Sequence, residues 1–285
     1  MVRERTVTTR PVSFDHDALG PERHYFAGDL LASHVVATLS GVIPTGERFV
    51  AETVRRYRHR LQPPLLQQAN GFIGQEHVHQ REHERFNEAL ARLGYPTELI
   101  DRAGSLTFLV AGRLPARLQV AMTAAIEHWT AVIAEHTLAD DQLLRWDLPE
   151  PSRAFLAWHL VEELEHRAVA FDAMRALGTS ELERMVAMRI VVALLAPPVV
   201  GGFLLSLALD PATWRPRSIR RSAGRAQRSS FNQPSFLRHL LSWYRPGFHP
   251  DERDVDELLD RWRAELFGAD GLVTTNATKR RTATG

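Results

Sequence analysis

The chain of 285 residues contains no cysteine. That excludes disulfides, thiolate zinc sites and iron–sulfur ligation, and leaves histidine and carboxylate as the strong metal ligands. Lysine is nearly missing too: Lys279 stands alone, so the basic charge is almost all arginine. There is little excess of either sign, with a formal net charge of +1, hence no overall field to draw the surface to nucleic acid. No alternating strand pattern appears and no repeat of solenoid period. Arg3, Glu4 and Arg5 have no apolar run behind them, so Met1 to Gly20 does not read as a secretory signal. Long uncharged runs are also scarce. The exception, Ile190 to Leu209, is about long enough to cross a bilayer. Pro197-Pro198 and Gly201-Gly202 interrupt it, and prolines end helices. The expectation is two short buried helices meeting at the proline pair and packing near the functional site, with contact at a membrane surface as the alternative.

What is present is a helical protein of ordinary soluble composition, 44% hydrophobic and 24% charged. The spacing predicts helices over 21–40, from Thr45 to about Leu61, from Leu65 to Leu93, from Pro115 to Leu138, and from Pro151-Ser152 to Gly178. A break is expected at Gly41-Val42-Ile43-Pro44 and a less regular stretch before Pro115. Arg215, Arg217, Arg220, Arg221, Arg225 and Arg228 read as a solvated linker, with binding of phosphate or anionic lipid as the sharper alternative. An amphipathic helix is expected over Asp251 to Phe267. The organisation expected is therefore an N-terminal arm (1–20), a helical bundle with appended apolar helices (21–212), an Arg-rich linker with a C-terminal helix (213–270), and a disordered tail (271–285).

Two Glu-x-x-His motifs carry the chemistry: Glu76 with His79, and Glu163 with His166. Residues three apart share a helix face, so each pair presents an oxygen and a nitrogen to one ion. About one such pair is expected by chance in a chain of this composition, so the phase decides. In one helix the inward series is Phe72, Glu76, His79, His83, Phe86, Leu90, and in another Leu156, His159, Glu163, His166, Ala170. The series Val120, Ala124, Glu127, Ala131 and Glu47, Val50, Val54, Tyr57 behave alike, whereas Glu52 is out of phase. Carboxylates inside an apolar stripe must be paired or metal-bound. The order Glu, Glu-x-x-His, Glu, Glu-x-x-His is that of carboxylate-bridged dimetal bundles. The expected metal ligands are Glu47, Glu76, His79, Glu127, Glu163 and His166. His83 and His159, one turn away on the same faces, are expected to orient ligands or move protons as catalytic groups. His77, His128 and His136 read as surface or helix-end histidines.

With these residues in place, the sequence resembles the bacterial ferritin-like family usually labelled predicted metal-dependent hydrolase. The resemblance rests on Ile43-Pro44-Thr45-Gly46-Glu47-Arg48-Phe49, on Gly74-Gln75-Glu76-His77-Val78-His79 followed by Arg81-Glu82-His83, and on Trp158 to His166. It covers most of Asp15 to Leu209. Members more often carry Phe-Pro where this chain has Ile43-Pro44. The resemblance implies metal binding more firmly than hydrolysis.

The fold class expected is all-α, a ferritin-like four-helix bundle with additional N- and C-terminal helices. The cofactor expected is two metal ions, iron first and manganese or zinc as alternatives. The leading functional expectation is a di-iron enzyme that activates O₂ to oxidise a small or apolar organic substrate, drawing on an external electron donor. The alternative is a metal-dependent hydrolase that uses a metal-bridged water on an ester, thioester or amide. Iron storage is a third class, disfavoured by the large C-terminal extension. The expected partner is a small-molecule substrate and not nucleic acid, with membrane-surface contact and a homodimer left open. The location expected is cytoplasmic.

Overall fold

The computed structural model describes residues 5–140, 147–227 and 229–273, and these are helical, with no strand among them. The helices are α1 (Leu30–Tyr57), α2 (Leu65–Arg92), α3 (Thr97–Ala111), α4 (Ala116–Ala139), α5 (Glu150–His166), α6 (Val169–Ala176), α7 (Glu181–Ala208), α8 (Pro216–Ala226), α9 (Pro234–Leu241) and α10 (Asp256–Phe267).

The break expected at Gly41–Pro44 is absent: α1 runs straight through Pro44. Proline cannot donate to the carbonyl four residues back, and that carbonyl, on Ser40, instead accepts from Asn87 Nδ2 at 2.9 Å. A side chain from α2 thus repairs what the sequence reads as a helix end. The same device corrects the second proline expectation. α7 is one continuous helix through Pro197 and Pro198, and the carbonyl freed by Pro198, on Leu194, lies 3.4 Å from Thr107 Oγ1 of α3, a hydroxyl it shares with Ala103 O at 3.2 Å. Nor is α7 buried: only 22% of its most apolar stretch is covered. A capping box starts it, in which Glu183 N donates to Ser180 Oγ and Ser180 N to Glu183 Oε2.

Three further corrections follow. The helix expected to reach Gly178 stops at His166, where Arg167 is buried and its Nη1 donates to Leu164 O at 3.1 Å, before the chain resumes as α6. The irregular stretch before Pro115 is α3. The arginine linker is α8, with Ser222 buried and its Oγ accepting from Leu30 N; Arg228 lies outside the described residues, as does the tail beyond Val273.

α1 and α2 are antiparallel, since Ser40 meets Asn87 near one end and Arg58 meets Asn70 near the other. They face α4 and α5 across a polar band. On one side of that band Phe49, Phe72, Ile73 and Val120 belong to one apolar cluster. On the other, Phe86, Leu90, Phe155 and Trp158 belong to a second. The N-terminal residues close the second cluster, with the Phe14 ring 5.5 Å from that of Phe155 and 5.3 Å from that of Trp158.

Candidate metal centre

The six carboxylates and histidines read as ligands come from α1, α2, α4 and α5 and meet in the polar band, each at most 6% exposed. They form two adjoining groups. Ligand atoms of Glu47, His79, His159 and Glu163 lie within 4.8 Å of one another, and so do those of Glu76, Glu127 and His166. Glu76 joins the groups: its Oε1 is 2.8 Å from His166 Nδ1 and 3.9 Å from His79 Nδ1. His79 Nδ1 also faces Glu163 Oε1 at 3.4 Å and Glu47 Oε1 at 3.7 Å, and His166 Nδ1 faces Glu127 Oε2 at 3.6 Å.

Both imidazoles are aimed by their other nitrogen. His79 Nε2 donates to Glu162 Oε2 at 3.0 Å, and His166 Nε2 donates to Gln75 Oε1 at 2.8 Å. Gln75 Nε2 in turn donates to Glu165 Oε2 at 2.9 Å. Arg10 spans the two supports, reaching Glu162 Oε1 at 2.7 Å and Glu165 Oε1 at 2.8 Å, and Arg263 adds a contact to Glu165 at 2.9 Å. Fixing the remote N–H turns the Nδ1 lone pair to the centre, as outer partners of metal-ligating histidines do. The sequence reading missed Glu162, Gln75, Glu165 and Arg10. One signal was available: α5 is apolar on every side, with Ala154, Phe155, Ala157, Trp158, Val161 and Leu164 all buried, so none of its acids in the middle turns could be solvated.

A hydrogen-bond chain fixes the tautomers of the remaining two histidines. Asn87 donates through Nδ2 to a carbonyl, so its Oδ1 accepts the Ser40 hydroxyl proton at 2.7 Å. Ser40 Oγ then accepts from His83 Nδ1 at 2.9 Å, and His83 Nε2 accepts from His159 Nδ1 at 3.3 Å. His159 Nε2 is left with a bare lone pair, 3.6 Å from Glu163 Oε1. The structure thus places His83 behind His159, and His159 at ligand distance. Burial, reinforced by His79, pushes His159 down to about 3, and burial with the neighbouring His159 holds His83 well below its ordinary value. Both are neutral imidazoles near neutrality.

Burial pushes Glu127 up to about 8, with Glu163 and Glu76 adding repulsion, and raises Glu47 well above the usual carboxylate range. Burial opposes the charge of His166, yet Glu76 and Glu127 outweigh it and lift this group to about 10. Near neutrality Glu127 and His166 therefore hold protons that a cation bound among them would displace. Seven buried atoms of the six residues make no hydrogen bond of good geometry, Glu76 Oε1 and His166 Nδ1 lying 2.8 Å apart among them: both Glu47 oxygens, Glu76 Oε1, His79 Nδ1, Glu127 Oε2, Glu163 Oε2 and His166 Nδ1. All seven are ligand-type atoms. A hard or borderline divalent cation fits this donor set.

A third cluster shows the contrast. His24, His34 and Asp210 also lie within ligand reach of one another, but the atoms that face one another are already hydrogen-bonded. Ser206 Oγ is 2.6 Å from His34 Nδ1, His34 Nε2 and His24 Nε2 donate to Asp210 Oδ2 at 3.0 and 2.8 Å, and the Arg23 guanidinium stands 3.3 Å from the same oxygen. This is a satisfied clamp between α1 and the end of α7. His128, expected at the surface, is also buried; its Nε2 donates to Leu240 O at 3.1 Å, and burial pushes it down to about 4. It lines a cleft of about 340 Å³ with Glu135, Arg238 and Arg253 that none of the six ligands reaches.

Fold and site together define a helical protein with a buried carboxylate–imidazole centre of metal-binding composition. The chain belongs to the family described as predicted metal-dependent hydrolase, whose sequence model matches residues 8–254. No curated protein and no solved structure matches it. The family corrects the leading expectation of an O₂-activating oxidase in favour of the hydrolytic alternative. The reason is chemical: carboxylates and imidazoles hold redox-inert and redox-active ions alike, so the ligand set did not discriminate.

Proposed function

We propose that the protein is a dimetal hydrolase of ferritin-like architecture acting on an ester, thioester or amide. The observation that supports it most is the convergence, between two apolar clusters, of seven buried ligand-type atoms without a well-formed hydrogen bond. Glu47, His79, His159 and Glu163 would hold one ion, and Glu76, Glu127 and His166 the other. When bound, the ions would supply Lewis acidity, lowering the pKa of a water and polarising a carbonyl oxygen.

The residues divide the remaining work. The three-ligand group offers fewer protein donors, which is the arrangement that leaves a position for water or substrate. Glu162 and Gln75 hold the imidazoles in the metal-facing tautomer. The chain from Asn87 through Ser40 and His83 keeps His159 Nε2 free of a proton.

The test is metal removal and return. Chelator-treated protein should lose ester or thioester cleavage and regain it with zinc or manganese, at close to two ions per chain. Glu76→Gln should lower both metal content and turnover. Equal turnover in the metal-free protein, or full metal content in Glu76→Gln, refutes the reading.

A further inference from the structure

We propose that the outer faces of α7 and α3, with the adjoining helix α8, form a docking surface for an anionic lipid bilayer. The reading is independent of the chemistry at the metal centre.

α7 has a mean hydropathy of 2.3 over its most apolar 18 residues, and is the one helix among the described residues long and apolar enough to cross a membrane. It is nonetheless bound along its length to the protein. Arg184, Ala187, Met188, Val191, Pro198, Gly202 and Ser206 form its buried stripe, and Ser206 is tied to His34. The fit is close: a Cβ on Gly202 would come within 2.8 Å of Ile100 of α3. A helix held in this way lies beside the protein and presents its other side outward. That side is apolar. Val200, Leu204 and Leu209 are 54%, 58% and 52% exposed. α3 lies antiparallel beside it, since Ile100 meets Gly202 and Thr107 meets Leu194, and its Leu99 and Leu106 are 53% and 64% exposed. Large leucines this exposed on neighbouring helices point to an interaction surface.

Charge identifies the occupant. Immediately after α7 comes Trp214, 73% exposed, an amphipathic ring suited to the headgroup level. Then α8 carries Arg217, Arg220, Arg221 and Arg225, all exposed. Among the described residues only Arg225 of this helix has an ion-pair partner, Asp29 Oδ2 at 3.2 Å. From Pro211 to Pro250 the sequence has eight arginines and no acidic residue. An apolar face flanked by tryptophan and unpaired arginine is the composition of a helix lying in a lipid interface, with arginines on the phosphates. A two-fold contact with a second copy through the same patch would bring no acid to α8 from α8 itself.

The test is co-sedimentation of the full chain with phosphatidylcholine vesicles, with and without phosphatidylglycerol. Binding should require the anionic lipid and fall as salt rises. Arg217→Gln, Arg220→Gln and Arg221→Gln together should weaken partition on the order of a hundredfold, from about fivefold per arginine. Leu204→Gln with Val200→Gln should weaken it separately through the apolar contact, with the far-ultraviolet circular dichroism unchanged. Three results overturn the proposal: no binding to anionic vesicles, equal binding to neutral ones, or a solution dimer that Leu204→Gln converts to monomer.

Discussion

Replacing Glu162 with Gln tests whether the outer hydrogen bonds aim the ligands. Glu162 is fully buried and accepts from two donors, His79 Nε2 at 3.0 Å and Arg10 Nη1 at 2.7 Å. An ionised carboxylate serves both, and burial notwithstanding, the His79 and Arg10 contacts hold its pKa below the ordinary range. A glutamine has one acceptor oxygen, so its amide N–H₂ must face one of the two donors. Either His79 loses the partner that fixes its tautomer, or Arg10 is left facing a donor. Loss of such a partner costs about 10–100-fold in metal affinity, equivalent to roughly 1.4–2.7 kcal/mol. The assay is competition for zinc against a chromogenic chelator, read for both ions. Only the ion held by His79 should weaken in Glu162→Gln. The counterpart Gln75→Leu should weaken the other, because Gln75 supports His166. Unchanged affinity at both positions in both variants refutes the argument that these side chains orient the ligands.

Other perturbations probe the fold. Asn87→Ala should cost about 1–3 kcal/mol in urea denaturation by stranding the Ser40 carbonyl, and Pro44→Ala in the same chain should recover part of it by restoring the missing N–H; no coupling in the double-mutant cycle would show that Asn87 does not repair α1. Trp262→Ala should cost about 3–5 kcal/mol, since the ring is 1% exposed and its Nε1 donates to Leu138 O at 3.1 Å; a cost below about 1 kcal/mol would mean that α10 is dispensable. Burial, opposed by Glu135, holds His239 at about 4. The unfolded chain therefore takes up a proton between about pH 6.5 and 4 that the fold refuses, and stability falls as pH drops through that window. His239→Gln should flatten this acid limb of the urea midpoint, and an unchanged limb would refute the assignment.

The six residues that converge in the polar band were legible because acids in phase with an apolar stripe contradict the rule that charge faces water. Their supports were less legible. Glu162 and Glu165 flank the stripe and look like solvated acids unless the apolar character of the whole of α5 is weighed. The helix boundaries failed for a related reason. Pro44 and Pro198 end helices only when nothing takes up the freed carbonyl, and Asn87 and Thr107, which take them up, are 43 and 91 positions away along the chain. Periodicity reads neighbours in sequence and is blind to partners of this kind.

The same blindness hid α3 and misplaced α7. A helix is recognised by contrast between an apolar side and a polar one. In α3 the buried Ile100 and Phe108 alternate with exposed Leu99, Leu106 and Leu109, so the contrast vanishes and the segment reads as irregular. In α7 both sides are apolar, which reads as burial all round. Burial was the wrong inference because the described residues leave most of the outer side of α7 uncovered. The missing contrast therefore carries information of its own. Two adjacent helices that expose large apolar side chains, followed in the chain by an arginine-rich helix without an acidic residue, are the pattern that the proposed lipid contact rests on.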